Sequence, residues 1–156
     1  MSLYQEGNLS IIFFVTLAFL SLSAEACLNL TGNLSGGCVY RSPSFGDLNG
    51  SIEFKIQQPT CNEITIDGSF LEIPGQFESK TIDGPITDYV KLAMSWKDAT
   101  QDTLNFQYIR TVDENNQRVD DVSLNGFFKK AGTKFIFRQS GIVDQDPVEI
   151  YCELFK

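Results

Sequence analysis

Apolar and polar positions alternate along most of the chain. In SIEFKIQQ, Ile52, Phe54 and Ile56 fall on one face, with Glu53, Lys55 and Gln57 on the other. NEITIDG repeats the pattern with Ile64 and Ile66, and YVKLAMSW with Val90, Leu92, Met94 and Trp96. Further along come Leu104, Phe106 and Tyr108, then Val122, Leu124 and Phe128, then Phe135 and Phe137. The last segment, VEIYCELF, carries Val148, Ile150, Cys152 and Leu154 in phase. A period of two predicts strands with one buried face. No segment after Cys27 repeats apolar residues at helical spacing.

The separators are turn chemistry: RSPSFGDLNG, QQPT, IPGQ, DGPITD, KDATQD, DENNQR, KKAGTK and SGIVDQDP. Gly supplies positive φ, Pro fixes φ, and Asn and Asp tolerate the left-handed region. About eight to ten short strands with tight connections predict an all-β antiparallel meander. An open sheet of that width exposes its edges, and closure into an up-and-down barrel removes them. A two-sheet sandwich is the competing architecture.

The beginning of the chain breaks this pattern. Residues 9–22, LSIIFFVTLAFLSL, are apolar and uncharged. They are too few to span ~30 Å of hydrocarbon, which needs about 20 residues. A small-residue site, Ala24-Glu25-Ala26, follows, so residues 1–26 are expected to be a cleaved signal peptide. The first residues, MSLYQEGN, lack the usual Lys or Arg. A single domain over 27–156 is expected, in a secreted or periplasmic location. It carries 12 basic and 18 acidic residues, because Glu6 and Glu25 lie in the leader. An acidic domain without a basic run is a poor ligand for nucleic acid or anionic membrane. No stable membrane insertion is expected once the leader is removed.

All four cysteines, Cys27, Cys38, Cys61 and Cys152, lie in that domain, and an even count in an exported chain points to two disulfides. If the first strand is 29–41 and the second 48–57, paired positions sum to about 89, which brings Cys27 next to Cys61. In a closed meander the last strand pairs with the first, which brings Cys152 toward Cys38. Cys27–Cys61 with Cys38–Cys152 is the expected pairing, and the other two connectivities remain open. A zinc site fits poorly, since there is no C-x-x-C spacing and no histidine. Lipid attachment at Cys27 also fits poorly. Ala24-Glu25-Ala26 lacks the leucine of a lipoprotein site and puts a charge in its middle, and lipidation would leave three thiols.

The missing histidine removes most acid–base and triad mechanisms, and no hydrolase elbow, phosphate loop or dinucleotide fingerprint is present. TGNLSGG reads as a strand with a bulge. Glu53, Glu63, Glu72, Glu78, Glu149 and Glu153 fall mostly at solvent-phase positions, so paired-carboxylate hydrolysis is not expected. DENNQR resembles a fragment of a calcium loop but lacks its Gly and terminal Glu, and reads as a polar hairpin turn. Sequons occur at Asn29, Asn33 and Asn49, the first two within the predicted first strand. No enzyme activity and no cofactor are expected.

The candidate binding residues are aromatic. Phe54, Phe106, Tyr108, Phe135 and Phe137 share the inward phase, and Arg110 follows Tyr108 in the same phase. A barrel of about eight strands is either filled by such side chains or holds one small ligand. Arg110 would meet a carboxylate ligand at a barrel mouth or snorkel to solvent.

This plan resembles the lipocalin-like, or calycin, barrels: an exported chain, one β-meander, an early Gly and a disulfide reaching the last strand. Gly32-Asn33-Leu34 stands where that group carries Gly-x-Trp, with Leu in place of Trp. Arg138 stands late in the chain, where the group keeps an Arg over that Trp, and the single Trp of this chain is Trp96. The resemblance implies carriage of a small apolar ligand. The sequence therefore predicts an exported, non-enzymatic barrel with a small hydrophobic ligand. The alternative is an interaction or structural protein with a filled core, acting through loops such as DENNQRVDD or IVDQDP. Neither pattern nor composition identifies a protein partner.

Overall fold

The computed structural model describes residues 27–156, so the leader expected over 1–26 lies outside the described residues. Ten antiparallel strands follow: β1 (Gly32–Ser42), β2 (Gly46–Thr60), β3 (Glu63–Ile66), β4 (Ser69–Glu72), β5 (Gly75–Asp83), β6 (Ile86–Trp96), β7 (Thr103–Glu114), β8 (Gln117–Ala131), β9 (Lys134–Val143) and β10 (Asp146–Phe155). They form one sheet in the order β4-β3-β2-β1-β10-β9-β8-β7-β6-β5, nearly closed into a barrel. The last strand does pair with the first, as the meander requires.

Alternation sets the two faces, and the turns set the register. Asn115 and Asn116 both have positive φ (52° and 62°), as do Asp144 and Gln145 (49° and 71°). Two successive residues of that kind make the two-residue hairpin whose twist matches the flanking strands. DENNQR is thus the β7–β8 hairpin: Asp113 pairs with Arg118 and Glu114 with Gln117. Between β1 and β2, Gly32 faces Ile56 and Ser42 faces Gly46, so every pair sums to 88. That register leaves Cys27 beyond the start of β1, beside Cys61, and the separate β1–β10 register, in which every pair sums to 190, sets Cys38 opposite Cys152. The disulfides are Cys27–Cys61, with Cα atoms 5.7 Å apart, and Cys38–Cys152, at 4.1 Å.

Three inward positions carry glycine because strands pass too close there for a side chain. A Cβ at Gly36 would lie 1.8 Å from the Glu153 carbonyl oxygen, and one at Gly141 1.9 Å from that of Ser123. At Gly126 it would lie 2.2 Å from the Arg138 carbonyl and 2.4 Å from Cζ of Phe106. Such glycines let a sheet coil tightly enough to close, and at Gly126 the Phe106 ring covers the gap.

The core sits toward the end of the barrel where the chain enters. Leu30, Leu34, Ile64, Leu104, Cys152 and Leu154 are wholly buried there, with Ile56 and Ile73 nearly so. The segment before β1 plugs this end: Leu28 N donates to the Gln101 carbonyl at 2.8 Å, and Leu30 N to Gln58 Oε1 at 2.9 Å. The sheet does not close at β5, which pairs only with β6, nor along the first part of β2, which β3 does not reach.

Candidate ligand-binding face

Four aromatic rings meet inside the closed end. Phe54 on β2 lies 5.5 Å from Phe128 and 5.1 Å from Phe137 between ring centroids. Phe106 stacks on Phe137 at 5.4 Å, and Phe128 lies 4.8 Å from Phe137. They meet because the register aligns them: Phe128 faces Phe137 across β8–β9, and Phe106 lies over Gly126 across β7–β8. Edge and offset contacts of this kind stabilise beyond burial by about 0.5–1.5 kcal/mol per pair. At this level the interior is occupied by side chains.

The six predicted residues therefore separate. Phe54, Phe106 and Phe137 belong to the ring cluster, together with Phe128. Phe128 was legible as an inward position, but nothing local marks it as the cluster's fourth member. Tyr108 lies one step toward the open end, half-buried on the inner face, paired with Leu92 and Leu124. Arg110 lies one step further and is held between two carboxylates. It donates to Asp88 from Nε at 3.2 Å and from Nη2 at 2.9 Å, and its Nη1 lies 3.6 Å from Asp120. Those bonds hold the Asp88 carboxyl below the ordinary carboxylate range and raise the Arg110 guanidinium. With two acidic partners, Arg110 offers little attraction to a ligand carboxylate. Asp88 carries no signal in the sequence because it ends the turn-like stretch DGPITD.

Phe135 has a different neighbourhood. It is buried, and it also forms one wall of a surface cleft of about 750 Å³ at the closed end. Leu28 and Phe155 supply further apolar wall; Asp102, Lys130 and Lys156 supply charge. Four segments converge to make it: the plug before β1, the β6–β7 loop, the β8–β9 turn at Gly132 and the end of β10. Lys156 Nζ stands 5.4 Å over the Phe135 ring and donates to the Asn29 carbonyl at 3.3 Å. Only Phe135 was legible as a candidate here, since the cleft is made by residues far apart in sequence.

The carboxylates considered for hydrolysis alternate with inward residues and so lie on the outer face, and three of them are held by cations. Glu78 is 3.2 Å from Lys91, Glu149 bonds Arg138, and Glu153 takes bonds from Lys134 and Tyr151. Asn29, Asn33 and Asn49 are all exposed, with Asn29 just ahead of β1. Among the described residues, no helix is long and apolar enough to cross a membrane, a statement that does not bear on strands.

Fold and site together define the class: a disulfide-stapled, ten-stranded antiparallel β-meander barrel with a filled closed end and a surface cleft beside it. No family model, no curated protein and no solved structure matches the chain.

Proposed function

We propose that the chain is an exported, non-enzymatic barrel protein that binds a small hydrophobic molecule in the closed-end cleft. The cleft itself carries the reading. Its volume of about 750 Å³ falls within the roughly 300–1,000 Å³ typical of small-molecule sites. Its walls pair Leu28, Phe135 and Phe155 with the ammonium groups of Lys130 and Lys156. That chemistry suits an apolar body with an anionic end. The two disulfides support an oxidising compartment, consistent with export.

The packed ring cluster of Phe54, Phe106, Phe128 and Phe137 favours a second reading, in which the filled barrel is a scaffold acting through surface turns. Titration with an environment-sensitive hydrophobic dye, followed by competition with a fatty acid, separates the two. Leu48 is exposed near the start of β2, at the open end, so saturable binding that Phe155→Asp abolishes and Leu48→Asp leaves unchanged supports the cleft. Binding lost instead in Leu48→Asp moves the site to the open end. Absence of binding up to the solubility limit of the dye leaves the scaffold reading.

A further inference from the structure

The free edge of β5 has a feature that the cleft does not use. β5 ends the sheet, and its nine residues pair with β6 alone, so one side of its backbone faces outward. Every β5 residue from Gln76 to Asp83 is exposed except the half-buried Ser79, and the exposed set includes Phe77 (41%) and Ile82 (67%). An edge this long is a template for another strand unless something blocks it. Around Ser79 the sequence reads Phe77-Glu78-Ser79-Lys80-Thr81, with opposite charges one residue to either side of the centre.

We propose that β5 is the contact surface for a second copy of this chain, two β5 strands pairing antiparallel about Ser79. In that register Ser79 faces Ser79 of the other copy. Glu78 faces Lys80 and Lys80 faces Glu78, two cross-strand ion pairs on the outer face in which each Glu78 is shared between Lys80 of the other copy and its own Lys91, 3.2 Å away. Phe77 faces Thr81 on the inner face, and Ile82 faces Gln76. Paired residues point to the same side of the extended sheet, as antiparallel pairing requires. The neighbouring symmetric registers are penalised. A centre at Glu78 sets Glu78 against itself, and a centre at Lys80 does the same for Lys80. Like charges directly opposite each other destabilise a sheet. The charges therefore select one register as well as adding attraction.

The unpaired stretch of β2 offers no such match about its centre. If the free stretch of β2 pairs with itself about Gly50, Asp47 falls opposite Glu53, acid against acid. Pairing β5 with β2 of another copy would be heterologous and would propagate without closing. The β5–β5 contact is isologous and ends at two copies.

Sedimentation equilibrium of the disulfide-bonded chain over a dilution series, at low and high salt, tests the proposal. The expected result is a monomer–dimer equilibrium that shifts toward monomer as salt screens the exposed pairs. Lys80→Glu and Glu78→Lys each place like charges opposite one another, so each alone weakens self-association by about tenfold or more. Mixing the two variants restores both ion pairs and recovers a mixed dimer. Near-ultraviolet circular dichroism shows that each variant remains folded, as expected for exposed positions. A single species of monomer mass up to the solubility limit overturns the proposal. So does a dimer that Lys80→Glu leaves unchanged, or a mixture that stays monomeric.

Discussion

The indole of Trp96 donates from Nε1 to the carbonyl oxygen of Cys61 at 2.8 Å. Trp96 ends β6, and Cys61 lies in the turn between β2 and β3, so the bond ties together two parts of the sheet that no ladder joins directly. Cys61 is in turn tied to Cys27 and hence to the plug of the closed end. Trp96→Phe keeps an aromatic ring and loses this donor. We expect a loss of about 1 kcal/mol, read as a lower urea midpoint with an unchanged slope.

The disulfides differ in the length of chain they close. Cys38–Cys152 spans 114 residues of sequence and Cys27–Cys61 spans 34. On the chain-entropy model the first contributes about 5 kcal/mol and the second about 4 kcal/mol. The Cys38→Ala/Cys152→Ala pair should therefore lower the melting temperature more than Cys27→Ala/Cys61→Ala. A reversed order would mean that seating Leu28 and Leu30 matters more than tying the first strand to the last.

Glycines in the same barrel should respond oppositely to an added methyl. At Gly126 the methyl meets the Arg138 carbonyl and the Phe106 ring, and the backbone cannot yield without opening β8–β9. Gly126→Ala should cost about 1–3 kcal/mol. At Gly37 nothing lies within 4 Å of the added carbon. Gly37→Ala should stabilise by roughly 0.5 kcal/mol, because it restricts the unfolded chain. Denaturant titration of both variants checks the contrast.

Acid sensitivity should trace in part to Asp88. Its bonds from Arg110 lower its folded-state pKa below the unfolded value, so its contribution is present at neutral pH and lost as pH falls through the folded value. Glu153, held low by Lys134 and then Tyr151, follows the same sign. Asp88→Asn should therefore destabilise the protein at pH 7. The difference from the parent should close below the ordinary Asp range near about 3.9. Thermal melts of both proteins from pH 7 to pH 2 measure it, and a pH-independent difference would show that Asp88 acts through packing.

Most strands could be read directly because one face of each is buried. Ile52, Phe54 and Ile56 alternate with charged neighbours because only their side of β2 meets the core. β5 was not legible for the opposite reason. Its inward positions, Gly75, Phe77, Ser79 and Thr81, lie at the open seam, so burial imposes no apolar pattern on them. β4 is four residues long, and its adjacent Phe70 and Leu71, one exposed and one buried, hide its alternation. The candidate residues divide along the same line. Inward phase predicted Phe54, Phe106 and Phe137, but phase cannot separate a ring that meets other rings from one that lines a cleft.

Alone, the sequence determined the face of each regular strand, the turn positions, and a β1–β2 register that sets Cys27 near Cys61, while the pairing of Cys38 with Cys152 waited on closure of the last strand against the first. These follow from the period of two, from residues that tolerate positive φ, and from the fixed sum of paired positions in a hairpin. Tertiary structure decided where the seam falls, which four rings meet and which side of Phe135 faces the cleft. Those depend on how tightly the sheet coils at Gly36, Gly126 and Gly141. That curvature arises from close approaches between distant strands, and no local window of sequence contains it.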